Sequence, residues 1–300
     1  SWKAGSPGLG SRGRDSRTSG VIGATRGLHL WTTSVSTDRA RESSRTRLLA
    51  YGWSMPSDSA TSSSKPRTPL SLAAFAAVAV PGLDPARLAL PQEETEELRV
   101  TGVIDTRGRS WEVLEPLDDA TGAALEAESE VLRRIGAVVD DGRLSFDVPR
   151  PAGSVRLDDV AHVQVRTHLN GHPVDLGALH PGPGLAAGLG RALGELHELS
   201  TSVVSEAGMP VYDAEDVRGR WLSLLDDAAG TGRVPPVLLA RWEAVLEDTA
   251  LWRFRPVVVH GDLAEENVLT AGGAVTGVRG LGQAHVGDPA EDLAWVYSSV

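Results

Sequence analysis

The residues best suited to chemistry stand in the sequence HGDLAEEN at positions 260–267. The Asp262 carboxylate can orient a hydroxyl group and accept its proton. Asn267, five positions later, carries an amide oxygen that can bind a magnesium ion without adding negative charge beside a phosphate. These are the residue types that chemistry on a hydroxyl group beside a bound metal ion would use.

Two short elements would position these side chains. The apolar run VVV at 257–259 predicts a buried strand directly before His260, and residues 268–278 predict a hairpin directly after Asn267. An Asp followed five positions later by an Asn is also the spacing of the kinase catalytic loop H-R-D-x-x-x-x-N. Such strings occur by chance, so the flanking strand and hairpin carry much of the argument.

The remaining elements predict the fold class. A polar loop at 105–109 separates two apolar runs and predicts a hairpin. Further strands are predicted at 155–165 and 166–169, and helices at 121–135, 185–199, 213–229 and 237–251. Strands with one helix, followed mostly by helices, predict an α+β fold with a small β-rich N-lobe at 66–168 and a larger helical C-lobe at 169–300.

Composition excludes several classes of protein and site. The chain has 300 residues, no cysteine and a formal charge of −11. A disulfide scaffold, a thiolate zinc site and a cysteine nucleophile are therefore excluded. The charge argues against nucleic acid and membrane partners, and no apolar run approaches the roughly 20 residues of a membrane-spanning helix. The oligomeric state is left open.

The charge is divided unevenly along the chain. Residues 1–65 carry ten Lys/Arg and four Asp/Glu, whereas residues 66–300 carry 19 and 36. The first segment is rich in Ser, Gly, Thr and Arg and is predicted to be disordered. Because the first methionine is Met55, residues 1–54 are interpreted as sequence upstream of the native start. A transit peptide or a nucleic acid-binding arm are the alternatives.

The apolar run at 70–80 allows two interpretations. It is an Ala-rich helix that packs onto the following domain, or the hydrophobic region of a signal peptide behind Lys65 and Arg67. The first interpretation goes with a cytoplasmic protein, and the second with an exported one.

The sequence resembles the aminoglycoside phosphotransferase family, close to its macrolide-phosphotransferase-like members. The segments that carry the resemblance are HGDLAEENVL, GQAHVGDPAEDLAW, GLGRALGELHEL and VRTHLNGHPVDL, and the likeness covers about residues 68–300. It implies a bilobal protein-kinase-like fold that moves the γ-phosphoryl group of ATP or GTP, with Mg²⁺, to a hydroxyl of a small molecule. An antibiotic acceptor is the family's commonest association.

The resemblance also implies residue roles. Asp262 matches the catalytic base, Asn267 a magnesium ligand, and His260 the histidine that braces the catalytic loop. Asp288 and Asp292 match the segment that ties this loop to the helices beneath it.

Further positions match the nucleotide-binding side of the family's site. Glu128 matches the glutamate that pairs with a phosphate-gripping lysine. Residues 166–171 match the hinge between the lobes, which places Arg166 and His168 near the adenine.

Two departures from the family pattern predict impaired catalysis. Gly280 stands where the family carries an aspartate that grips the metal, so Gly280→Asp is expected to raise metal-dependent turnover. Leu114 stands where members often carry a phosphate-binding Arg, and the chain has only two lysines, Lys3 and Lys65. Glu128 is therefore expected to lack an obvious cationic partner.

Three hypotheses remain at this point. The first is a phosphotransferase with reduced activity, and the second is a pseudokinase that binds nucleotide or a partner without transfer. The third is a damaged gene product whose C-lobe is truncated at Val300, inside an expected helix.

Overall fold

The computed structural model describes residues 67–156, 162–179 and 184–299. The predictions for residues 1–65 lie outside the described residues. The described part is an α+β fold, as the sequence predicts. A lobe boundary between residues 168 and 169 stays a prediction.

A five-stranded antiparallel sheet forms the first part of the fold. Its strands are β1 (Pro85–Glu94), β2 (Leu98–Asp105), β3 (Ser110–Pro116), β4 (Pro151–Arg156) and β5 (His162–Thr167). Their order across the sheet is β1-β2-β3-β5-β4. The register sets Glu112 opposite Arg166 and Leu114 opposite Gln164.

The sheet confirms one strand prediction and corrects another. The predicted hairpin is β2 and β3. The single strand predicted at 155–165 is wrong, because β4 ends at Arg156 and β5 begins at His162 as its antiparallel neighbour. Apolar residues in both strands made them look continuous in the sequence. Strand β1 was missed because its proline and glutamate content is unfavourable for strands.

One face of the sheet is covered by helix α1 (Pro69–Ala79). Thr68 caps its N-terminus by accepting the Ser71 N–H over 3.3 Å, and proline occupies the first helical position. Leu72, Ala73 and Ala76 are buried in a cluster with Trp111, Val113, Val163 and Val165 of the sheet. The apolar run at 70–80 therefore forms the packed helix that was one of its two interpretations.

Helix α2 (Asp119–Asp140) joins the sheet to the helical part. Asp118 caps it by accepting the Thr121 N–H over 2.7 Å. Val131, Leu132 and Ile135 have no exposed surface and belong to the main hydrophobic cluster together with helical residues such as Leu196. Glu128 lies on this same buried face of α2, so the packing also fixes its position relative to the site.

The rest of the chain is mainly helical. Its helices are α3 (Leu185–His197), α4 (Ser202–Ser205), α5 (Ala214–Gly230), α6 (Pro236–Glu247) and α7 (Ala290–Ser299). Its short strands are β6 (His172–Pro173), β7 (Val257–Val259), β8 (Val268–Ala271), β9 (Ala274–Val278) and β10 (His285–Gly287). The hairpin predicted at 268–278 is β8 and β9. Within the described ranges, no helix has the length and apolarity that crossing a membrane requires.

Candidate active site

The loop after β7 carries the two residues singled out first in the sequence. It runs from His260 past Asp262 into a 3₁₀ turn, Glu265–Asn267. The side-chain nitrogen Nδ2 of Asn267 donates to the backbone carbonyl of Asp262 over 2.8 Å. The structure thus brings Asp262 and Asn267 together and directs the nitrogen of the Asn267 amide inward, which leaves its Oδ1 for a ligand.

His260 lies beneath the loop and is fully buried. Its Nδ1 accepts the backbone N–H of Asp262 over 3.3 Å, so the ring proton lies on Nε2. Nε2 donates to the carbonyl of Arg279 over 2.8 Å. His260 therefore ties the catalytic loop to the residue before Gly280, which makes it a positioning residue for Asp262.

Asp292 of α7 holds the same loop through both carboxylate oxygens. Oδ2 accepts the backbone N–H of His260 over 2.9 Å and the Nε2–H of His197 over 3.0 Å. Oδ1 accepts the N–H of Gly261 over 3.2 Å. Burial raises the pKa of Asp292, but the bonds from His197 and the loop outweigh it, so the pKa is lowered. The resemblance implied this connection between the loop and the helices for Asp292 together with Asp288.

Gly261 is required by the path of the loop. Its φ is +80°, a conformation that other residues rarely adopt. A Cβ at this position would also stand 2.2 Å from the carbonyl oxygen of Gln283. Because Gly261 has no side chain, the chain can bend sharply after β7 against the Gln283 carbonyl, directly before Asp262.

Gly280 lies directly beside the Asn267 amide. A Cβ placed on Gly280 would be 2.7 Å from Oδ1 of Asn267, and the φ of Gly280 is +76°. Nε of the neighbouring Arg279 is already engaged, because it donates to the carbonyl of Glu266 over 2.8 Å. The position where a second metal ligand is expected thus holds no side chain.

The residues present do not fit the magnesium site that the resemblance implies. Asn267 offers one oxygen ligand, and Gly280 offers none. Asp288 is engaged at the start of α7, where its Oδ1 accepts the Ala290 N–H over 2.9 Å. No group of three or more His, Asp or Glu side chains placed to hold a metal occurs in the described part of the chain.

On the sheet side, four ionisable residues form a continuous cluster: Glu112, Glu128, Arg166 and His168. Nε of Arg166 donates to Oε2 of Glu112 over 2.8 Å, and its Nη1 lies 3.3 Å from Oε2 of Glu128. Nδ1 of His168 lies 2.9 Å from Oε1 of Glu112. The expectation that Glu128 lacks a cationic partner is therefore wrong, because its partner comes from β5 rather than β3.

The side chains of this cluster shift the pKa values of one another. Burial raises the pKa of Glu112, but His168 and Arg166 lower it more, so that the pKa is about 2. For Arg166, burial lowers the pKa, and the charges of Glu128 and Glu112 outweigh it and raise the pKa. Both side chains are thus charged at neutral pH and bind each other.

Comparison with known proteins identifies the family. The model of the phosphotransferase enzyme family matches residues 120–300, more than half of the chain. The chain belongs to this phosphotransferase family. The match includes Glu128, Arg166, the catalytic loop and Asp292.

Solved structures share the fold of this phosphotransferase-family protein. Macrolide 2′-phosphotransferase MphH from Brachybacterium faecium is 24% identical, with a TM-score of 0.63 and coverage of 76% of each chain. A macrolide 2′-phosphotransferase type I is 26% identical, with a TM-score of 0.61 and coverage of 77% of each chain. The aminoglycoside phosphotransferase APH(2″)-IIIa, solved with GDP and kanamycin, is 20% identical at a TM-score of 0.61, covering 76% of this chain and 77% of that one.

A curated relative matches over a shorter region. The uncharacterized protein YcbJ of Bacillus subtilis (strain 168) is 31% identical over 102 residues. The matched region is 34% of this chain and 33% of YcbJ, so the chain spans about a third of the length of that relative.

Sequence reasoning missed one residue of this phosphotransferase-family site, Glu112. Its signal was present, since Glu112 stands between apolar residues of a predicted strand and a buried glutamate needs a partner. The partner could not be named from sequence, because the register that sets Glu112 opposite Arg166 depends on the pairing of β3 with β5.

Proposed function

We propose that this protein transfers the γ-phosphoryl group of ATP or GTP to a hydroxyl group of a small molecule, of the aminoglycoside or macrolide type, with reduced activity. The observation that carries the proposal is the braced catalytic loop, in which Asn267 binds the backbone of Asp262 and His260 and Asp292 hold the loop from beneath. Such fixed geometry supports catalysis because phosphoryl transfer depends mainly on positioning and charge stabilisation.

Asp262 acts on the acceptor. Its carboxylate orients the hydroxyl group and takes the proton as the acceptor oxygen forms its bond to the γ-phosphorus. The bond between that phosphorus and the β,γ-bridging oxygen breaks, and the nucleoside diphosphate leaves. The backbone of Asp262 is fixed by its N–H bond to His260 and by the bond that its carbonyl accepts from Asn267.

Reduced activity follows from Gly280. Because Gly280 supplies no metal ligand, the charge stabilisation of the phosphates is incomplete. Loss of a single preorganised electrostatic contact typically slows an enzyme by about 10²–10³. Transfer is therefore expected to be slow but dependent on Asp262.

A second candidate is a pseudokinase that binds nucleotide without transferring phosphate. The observation that favours it, besides Gly280, is the turn between β1 and β2, residues 95–97. In kinases a glycine-rich loop at this turn covers the phosphates. Here the turn contains Glu96 and Glu97 and no glycine, so it repels a polyanion.

Asp262→Asn separates the two candidates. For a phosphotransferase, we expect transfer from radiolabelled ATP or GTP to an aminoglycoside or macrolide mixture to fall about 10²–10⁴-fold in this variant. Nucleotide-dependent thermal stabilisation should be unchanged, because the amide keeps the shape of the side chain. Asp226→Asn, on an exposed position of α5, is the matched control and should keep wild-type activity.

The outcomes are distinct. Stabilisation by nucleotide with no transfer in the wild-type protein identifies the pseudokinase. Transfer that persists at the wild-type rate in Asp262→Asn rules out the proposed base. A protein that neither binds nor transfers nucleotide contradicts both candidates. The acceptor class and a cytoplasmic location remain expectations from the resemblance and from the sequence.

A further inference from the structure

Arg166 is placed where the sheet, α2 and the turn after β9 meet. Its β-strand register sets it beside Glu112, and its guanidinium extends from there to Glu128 on α2. Glu128 in turn borders the turn after β9, since a Cβ on Gly282 would lie 3.8 Å from the Glu128 carboxyl carbon. Gly282 is two residues from Gly280, where an added Cβ would stand 2.7 Å from Oδ1 of Asn267. Glu128 thus connects the guanidinium to the turn that carries Gly280 and Gly282.

This arrangement has the components of a phosphate-binding cation. In kinases a lysine of the third strand binds the phosphates and is held by a glutamate of the adjacent helix. Here the helix glutamate is present as Glu128, but the third strand offers the apolar Leu114, which is 2% exposed. The cation that Glu128 holds is Arg166, from the neighbouring strand.

The guanidinium retains hydrogen-bonding capacity for a ligand. Arginine has five N–H donors in a planar fork that matches phosphate geometry. Nε is used by Glu112 and Nη1 lies near Glu128, whereas Nη2 makes no hydrogen bond to the residues that the structure describes. The side chain is 16% exposed, so it is not sealed in the core.

We propose that Arg166 is the phosphate-binding residue of this site, a cation moved from β3 to β5, and that Glu112 both holds and restrains it. The inference rests on the proposed function only for the presence of a nucleotide in the site. It changes the role of Arg166 from a hinge residue beside the adenine to a contact of the phosphates.

Substitution of Glu112 should change ATP binding in the direction opposite to substitution of Arg166. It binds Arg166 over 2.8 Å and carries a negative charge at neutral pH, so it competes with phosphate for the guanidinium. Replacing it with glutamine removes that charge and keeps an oxygen that can accept from Nε. A purely structural ion pair would not become a better phosphate site when one partner is neutralised.

The test measures binding and needs no turnover. Titration calorimetry with ATP and with adenosine, each with and without Mg²⁺, is applied to the wild-type protein, Arg166→Met, Arg166→Lys and Glu112→Gln. Arg166→Met should weaken ATP binding about ten- to hundredfold, the effect of one charge-assisted contact, and leave adenosine binding unchanged. Arg166→Lys should recover part of the loss, and Glu112→Gln should strengthen ATP binding several-fold.

Arg99→Met is the matched control. Arg99 is another arginine of the same sheet held between two glutamates, Glu94 and Glu115, with its partner Glu115 on the α1 side. It should fold less stably without a selective loss of ATP over adenosine. Should Arg166→Met fail to fold, the Arg166→Lys and Glu112→Gln measurements carry the test.

The results separate this inference from the proposed function. Equal ATP affinity in the wild-type protein and in the Arg166 and Glu112 variants overturns the role of Arg166 and leaves the phosphotransferase proposal standing. Selective loss of ATP binding in Arg166→Met supports the role of Arg166 even when no acceptor is phosphorylated. Absence of ATP binding in the wild-type protein overturns both.

Discussion

At the scale of single residues, the Asn267 side chain leaves no room for a side chain at position 280. The Asn267 amide occupies the volume that a side chain on Gly280 would enter. The amide is held there by its bond to the Asp262 carbonyl. Restoring a carboxylate at position 280 therefore requires movement of Asn267 as well as a strained backbone.

The variant Gly280→Asp is predicted to be less stable than the wild-type protein but responsive to metal. A non-glycine residue at φ +76° costs roughly 1–3 kcal/mol, so the free energy of unfolding should fall by about that amount without metal. Mg²⁺ should restore part of the stability, because the introduced carboxylate and the Asn267 amide then offer two kinds of oxygen ligand. Thermal unfolding with and without Mg²⁺ measures both effects.

Gly280→Ala provides the control for that prediction. It introduces the same Cβ and the same backbone strain without a carboxylate. An equal response of the alanine and aspartate variants to Mg²⁺ would show that the missing ligand is not the reason for the incomplete metal site.

Single residues also show how far sequence reasoning reached. Asp262, Asn267 and His260 lie together as the motif indicates, because the loop itself sets their spacing, and their chemical roles stay predictions. The pairing of Arg166 with Glu128 could not be predicted, because it joins residues far apart in sequence through a strand register and a helix position. The same register sets Glu112 opposite Arg166, which explains why Glu112 was missed as well.

At the scale of elements, α1 is part of the core although its composition resembles a targeting segment. Its Ala-rich sequence fits closely against the sheet because small side chains let the helix approach the strands. Leu72 is fully buried there, whereas Leu70 is 73% exposed. We therefore expect Leu72 to contribute much more than Leu70 to the free energy of unfolding.

Leu72→Ala is predicted to lower the free energy of unfolding by about 2–5 kcal/mol, as large-to-small substitutions in a core do. Leu70→Ala, the matched control, should change it by no more than about 0.5 kcal/mol because its side chain faces solvent. Denaturant unfolding of the full chain gives both values. Similar values for the two variants would contradict the packing of α1.

Elements were easier to predict where their pattern is local. Helix α3 and the hairpin of β8 and β9 follow from helix periodicity and turn residues alone. Strands β4 and β5 were merged because alternation of apolar residues does not show where a chain reverses. Their separation is set by pairing of β5 with β3, which is a property of the whole sheet.

At the scale of the whole molecule, two electrostatic effects oppose each other as the pH falls. The net charge of −11 destabilises the folded protein by repulsion, and this repulsion weakens toward the isoelectric point near 5.2. Buried carboxylates act in the other direction. Burial alone would raise the pKa of Asp105 and of Glu112, but hydrogen bonds and paired charges in the folded state lower each pKa to about 2.

Stability is therefore predicted to hold or rise slightly from pH 7 to about 5.2 and to fall steeply below about 4.5. A carboxyl group with a lowered pKa contributes stability that is complete above its unfolded pKa and is lost as the pH falls through its folded pKa. For Glu112 these values are 4.5 and about 2. The contribution is on the order of 3 kcal/mol at neutral pH.

Glu112→Gln tests this prediction, since glutamine cannot take up the proton. The variant should be less stable than the wild-type protein at pH 7 and should lose less stability between pH 4.5 and 2. Urea unfolding at a series of pH values gives the slope, and Glu243→Gln, which removes an exposed carboxylate from α6, serves as the control. A variant with the wild-type slope would mean that Glu112 is not ionised within the cluster, and the restraint on Arg166 would then have to come from Glu128 alone.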